Sequence, residues 1–158
     1  MGVRVYWELC RKHGIKCAEK WYKEVPDEVR VNSDNTVEIW WDRKVLTSVQ
    51  VEHNKPDVVV LDRSSMQCTI IDFSVPWDKN VVAKEDEKKV RYGPLAQDMT
   101  KVYGMKTSVV PIVVGGLGTV PKRLPNYIKK LGIPDVIGGL QTSAIIGTSI
   151  IIKAVLNL

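Results

Sequence analysis

Only three of the 158 residues are cysteines, Cys10, Cys17 and Cys68. An odd count argues against a disulfide framework, and Met1-Gly2-Val3-Arg4 carries no apolar signal core, so the expectation is a reducing compartment. Position 6 is Tyr6, not the serine or threonine of an N-myristoylation signal. No clean apolar run is long enough to be a good membrane span. The nearest, Ile137 to Leu158, is interrupted by Gln141, hydroxyl residues and Lys153, and is expected to be a buried helix, with no membrane partner. Internal repeats, linkers and low-complexity tracts are missing. The glycines of Gly115-Gly116-Leu117-Gly118 do not fit G-x-G-x-x-G and open no clear helix, which excludes a phosphate cradle of that type and leaves a turn. Cys10, His13 and Cys17 form C-x2-H-x3-C, but no second ligand pair follows. A helix ending at Gly14 would also part Cys17 from the other two, so small core thiols are expected instead of zinc.

What remains is the composition of one ordinary globular domain, residues 1–158, with 44% apolar and 26% charged residues. A formal net charge of +5 suits a polyanionic partner without requiring one.

Periodicity predicts a helix from Val5 to Lys12 and strands at Val37–Trp41, Val45–Val51, Val58–Leu61 and Cys68–Val75. Glu24 to Thr36 reads as polar connection with the turn signal Asn32-Ser33-Asp34-Asn35. Trp40 and Trp41 fall on opposite faces of their strand. One of them is then free to meet solvent and stack on a base, or else to fill the core or an interface. Val82 to Tyr92 predicts a helix that Gly93-Pro94 should break or kink, resuming with Leu95, Met99 and Val102 toward the core. On its first part Lys84, Lys88 and Arg91 share a face, and Glu85 and Lys89 are spaced for an ion pair. That face is either simply solvated or turned toward a site. Thr107–Val114 is a strand whose Pro111 suggests an edge or bulge. Pro121–Lys130 is a basic helical segment, with Leu124, Tyr127, Ile128 and Leu131 inward. In the last helix Leu140, Ile145, Ile151 and Val155 are expected to pack. The expected order is α-β-β-β-β-α-β-α-α: an α/β (α+β) fold with a central mixed sheet flanked by helices.

The stretch from Glu52 to Ser74 carries the chemistry. Asp57 opens one apolar strand and Asp72 lies late in the next, where an unpaired carboxylate costs several kcal/mol. An antiparallel hairpin sets these two ends side by side, so both carboxylates can address one divalent cation.

Pro56-Asp57 followed by Asp72 resembles the PD-(D/E)XK nuclease motif, with Ser74 standing where that motif has lysine. The segments Tyr6-Trp7-Glu8-Leu9-Cys10, His53-Asn54-Lys55-Pro56-Asp57, Ile70-Ile71-Asp72-Phe73-Ser74-Val75-Pro76, Lys84-Glu85-Asp86-Glu87-Lys88 and Val109-Val110-Pro111-Ile112-Val113-Val114-Gly115 are similar to the restriction-like endonuclease region of early-branching non-LTR retrotransposon polyproteins. The likeness runs from Trp7 to about Lys130.

The resemblance implies a PD-(D/E)XK restriction-endonuclease-like core and Mg2+- or Mn2+-dependent nicking of DNA for retroelement insertion. It also implies a parent polyprotein with a reverse transcriptase and a nuclear setting. Asp57 and Asp72 would hold the metal, with the Phe73 carbonyl as a third oxygen and Glu52 as a further ligand or outer-shell acid. Glu8 is the helix acid that such folds often add, or else a solvated helix-surface glutamate. The missing lysine is expected on the following helix, Lys88 before Lys84, with its amine near Asp72. Lys122, Arg123, Lys129 and Lys130 are the expected DNA-contacting cations. The alternative is a catalytically inactive nucleic-acid-binding or protein-interaction domain taken over by a host.

Overall fold

The computed structural model describes residues 1–157. A five-stranded mixed sheet has the order β1 (Val29–Val31), β2 (Val37–Trp41), β3 (Val58–Asp62), β4 (Gln67–Ser74) and β5 (Lys106–Val113). The first four strands pair antiparallel, and β5 pairs parallel to β4. The parallel step needs a crossover, which α2 (Val81–Tyr103) provides. Helices α1 (Gly2–Lys12), α3 (Leu124–Leu131) and α4 (Ile137–Leu156) complete the chain. Leu158, included in the expected last helix and in the single 1–158 domain, lies outside the described residues.

Two cores follow from the period of two along the strands. Val58, Val60, Ile71 and Ile112 face one way and pack with Tyr6 and Leu9 of α1, Leu124 and Ile128 of α3, and Leu140 of α4. Val59, Leu61, Cys68 and Ile70 face the other way and meet Tyr92, Leu95 and Met99 of α2. The unbroken β-branched run at Val58 is explained by this: β3 is covered on both sides.

Several expectations need correction. Val45–Val51 is a loop, not a strand. Its alternation is not realised: Val45 and Val51 tuck into the α2-side core, but Val49 of the same parity stands in solvent with Leu46. The Ser48 N–H and hydroxyl are both taken by the Asp98 carboxylate. The strand gained instead is β1, inside the stretch read as polar connection. Asn32 Oδ1 accepts the Thr36 and Val37 N–H groups, and Asn35 takes φ 57, so the Asn-rich turn closes a hairpin onto β2.

α2 continues unbroken through Gly93-Pro94. Pro94 faces solvent, so its missing N–H leaves no buried carbonyl stranded, and Tyr92, Leu95 and Met99 hold the helix on the sheet across it. Val102 is exposed, not inward. Pro111 does sit on an edge strand. Trp40 is buried beside Tyr103, and Trp41 is half-buried against Tyr6. The widely exposed tryptophan is Trp77, at 70%.

α4 departs most from expectation. Only Leu140 and Ala144 are buried; Ile145, Ile151 and Val155 are exposed, because beyond Ala144 the helix runs past the body that the sheet and α3 provide. Its length and a mean hydropathy of 1.5 also reach what a membrane-crossing helix needs.

Candidate active site

The β3–β4 register places the acidic pair. Val58 opposes Ile71, so one step further Asp57 opposes Asp72. Opposed residues share a face, and counting by two from Val59 and Ile70 puts both carboxylates on the α2 side. The main chain ties them together. The Asp57 N–H donates to Asp72 Oδ1 at 3.1 Å, and the Phe73 N–H donates to Asp57 Oδ2 at 2.8 Å. Asp72 is 3% exposed.

α2 brings the cation. Lys88 Nζ lies 2.6 Å from Asp72 Oδ2, with both side chains largely buried. This matches the expected lysine amine beside Asp72. One turn on, the Tyr92 hydroxyl donates to Asp72 Oδ1 at 3.3 Å, and burial followed by the Asp72 charge pushes that phenol well above its ordinary pKa. Tyr92 is a site residue that sequence reasoning misses. Its signal is the i, i+4 spacing from Lys88, which only becomes meaningful once Lys88 is known to face the sheet.

The other expected residues do not join the pair. Lys84 turns outward to Glu87 at 2.8 Å, and Arg91 meets the same Glu87 at 2.6 Å. Glu52 has an 89% exposed side chain, 4.0 Å from His53. Glu8 is buried in α1, which corrects its reading as a solvated glutamate, but it stands apart from the pair. Among the described residues no group of three or more His, Cys, Asp or Glu side chains gathers at one point, which also separates Cys10, His13 and Cys17. Cys10 and Cys68 are buried thiols, and Cys17 is half-buried. The expected Glu85–Lys89 ion pair is absent. Glu85 is buried with Oε1 3.7 Å from Arg123, and Lys89 lies over the Tyr127 ring. Lys122, Lys129 and Lys130 are exposed, whereas Arg123 also meets Asp86 at 3.3 Å.

The donor set suits a hard cation. Asp57 Oδ1 accepts no hydrogen bond among the described residues, and Asp72 offers Oδ2 wherever Lys88 yields it. Magnesium needs only one or two carboxylates, since it keeps several waters. The Asp57 carboxyl is pushed up to about 6, first by burial and then by the Asp72 charge, against the pull of the Phe73 N–H and of Lys88. A carboxylate held back from ionising by its acidic neighbour is one that a cation relieves.

A pH dependence follows. With its folded pKa raised, Asp57 binds a proton more tightly in the folded chain. Its contribution to stability is therefore full below about pH 4 and is lost as pH rises through about 6. Thermal unfolding should show Asp57→Asn flattening the decline across that window. Added Mn2+ should raise the melting temperature above pH 6 and much less at pH 5, where the proton competes. Equal metal stabilisation at both pH values in the parent chain would place the ion elsewhere.

No family model matches the chain, and no curated protein does. Among solved structures the chain is similar to an N-terminal domain of a reptarenavirus L protein, at 22% identity and a TM-score of 0.38, over 82% of this chain and 62% of that one. What the strands and helices define is an α/β domain: a five-stranded mixed sheet with four helices around it.

Proposed function

We propose that this domain is a metal-dependent DNA endonuclease, and the observation that carries the reading is the opposed Asp57–Asp72 pair with Lys88 Nζ 2.6 Å from Asp72. An acidic pair at a strand end, Asp72 buried and Asp57 half-buried, capped by a lysine from the crossover helix, offers what phosphodiester hydrolysis requires. Asp57 and Asp72 would hold Mg2+ or Mn2+, with the Phe73 carbonyl as a further oxygen. The metal, when bound, supplies charge neutralisation at the phosphate and an acidified water. Tyr92 and the Asp57 N–H fix the Asp72 carboxylate. Lys88, an ammonium on a long stem at the same carboxylate, would stabilise the charge that develops on the phosphate. In this reading the lysine missing at Ser74 acts from α2. The sequence resemblance extends the proposal to nicking of target DNA for retroelement insertion, within a longer reverse transcriptase polyprotein working in the nucleus.

The test is plasmid nicking with Mg2+ or Mn2+ against a chelator control. A second reading draws on the same ion pair. Lys88 and Asp72 already satisfy each other, as they would in a catalytically inert binding domain, and that reading predicts no cleavage with either metal.

DNA binding is expected to be tolerant of sequence and sensitive to salt, because its agents are exposed lysines meeting phosphates. Replacing Lys122, Lys129 and Lys130 together by glutamine should lower the slope of log affinity against log salt by about 3, near one for each phosphate no longer neutralised. An unchanged slope would move the DNA surface off α3.

A further inference from the structure

We infer that Trp77 and Leu117 form a stacking site for an unpaired nucleobase, so that the preferred substrate has a single-stranded segment beside the scissile bond; this rests on the nuclease reading. Both side chains are 70% exposed, and with Asp78 and Lys79 they line a cleft of ≈ 370 Å³. Clefts of roughly 300–1,000 Å³ are the usual size for small-ligand recognition. The indole and the aliphatic chain offer stacking surface to a base and the Lys79 ammonium a cation to its phosphate, while the Asp78 carboxylate is engaged by loop N–H groups.

The cleft is built, not incidental. Trp77 belongs to the short link from β4 to α2, and Leu117 to the glycine-rich loop after β5. The Asp78 carboxylate accepts the Leu117 N–H at 2.8 Å and the Thr119 N–H at 3.0 Å, stapling the two loops. The Gly116 N–H donates to the Pro76 carbonyl at 3.0 Å, and the Asn80 N–H to the Trp77 carbonyl at 2.8 Å. Gly115 has to be glycine here, since a Cβ would lie 2.7 Å from Asp78 Cγ. The indole is thus presented to solvent on a braced backbone, which reduces the ordering cost of stacking.

Position supports the assignment. Trp77 follows Asp72 by five residues, which span at most about 18 Å of extended chain. That is about five base steps at about 3.4 Å each, within reach of one bound strand. The net charge of +5 favours a polyanion over an apolar partner. On its other flank Trp77 joins Val75, Pro76, Ile151 and Ile152 in lining an apolar cleft of ≈ 270 Å³.

The experiment measures binding by fluorescence anisotropy in chelator, using oligo(dT) and a duplex of the same length. Trp77→Ala should weaken single-strand binding roughly 5- to 150-fold, the loss of one base–aromatic stack, and leave duplex affinity unchanged. Trp77→Phe should keep most of the affinity. Equal losses for both forms, or no loss, overturn the inference. So does a Trp77→Ala chain that binds oligo(dT) normally but loses self-association in sedimentation, since the patch is then a protein interface. Selective loss without any metal-dependent cleavage leaves the stacking site standing and removes the nuclease reading. Cleavage with unaltered oligo(dT) binding removes the stacking site alone.

Discussion

Asp72→Ala is expected to abolish metal-dependent nicking and to destabilise the fold in the same stroke. Asp72 accepts the Asp57 N–H, the Tyr92 hydroxyl and the Lys88 ammonium. Removing it leaves a largely buried ammonium with no counter-charge, a change that costs about 3–5 kcal/mol where such pairs have been broken. For a domain of this size that is a fall in Tm of about 6–20 °C. Asp57→Ala loses one bond from the Phe73 N–H and a carboxyl that burial already disfavours, so it should lose nicking equally with a much smaller change in Tm. The double change Asp72→Ala with Lys88→Met should recover most of the lost stability and none of the activity. Thermal melts and plasmid nicking on the four chains decide the matter. Nicking by either alanine variant, in preparations free of other nucleases, would place the chemistry elsewhere.

Lys88→Ala should lower the cleavage rate by about 10²–10³, the usual loss when one donor to a developing oxyanion is removed. DNA affinity should change little, because the ammonium does its work in the transition state. Lys84→Ala should cut at nearly the parent rate, since Lys84 is turned to Glu87 and away from Asp72. Without metal, Lys88→Ala leaves Asp72 buried and unpaired, so its Tm should fall below that of the parent and recover more strongly on adding Mn2+. Single-turnover cleavage and separate binding titrations read the two effects. Loss of affinity alone for Lys88→Ala, or equal effects from both lysines, would make α2 a binding helix.

The acidic pair was legible because it violates a pattern: two carboxylates in β-branched apolar runs need a reason, and hairpin geometry supplies their meeting point. The preference for Lys88 over Lys84 rested on an expected frayed first turn, since the two share a face; what turns Lys84 away in the folded chain is its pairing with Glu87. Tyr92 was not, because a tyrosine in a helix reads equally as core or surface until that helix is laid on the sheet. The Val45–Val51 alternation of residue types misleads, because it says neither which of those side chains are buried, only Val45 and Val51, nor what the backbone pairs with. Asn54 and Asp98, distant or out of pattern, take those backbone groups.

The sequence by itself determined the elements whose causes are local: the strands β2 to β4, the amphipathic α1 and α3, the Asn-rich turn and the facing of Asp57 and Asp72. Only the tertiary structure decided what depends on partners far along the chain. It chose β1 as the edge, carried α2 through Pro94, and turned Lys88 rather than Lys84 inward. It left most of α4 beyond Ala144, and Trp77, in solvent because hydrophobicity states what a residue would gain from burial, while the surfaces available to bury it are fixed only when the rest of the chain has folded.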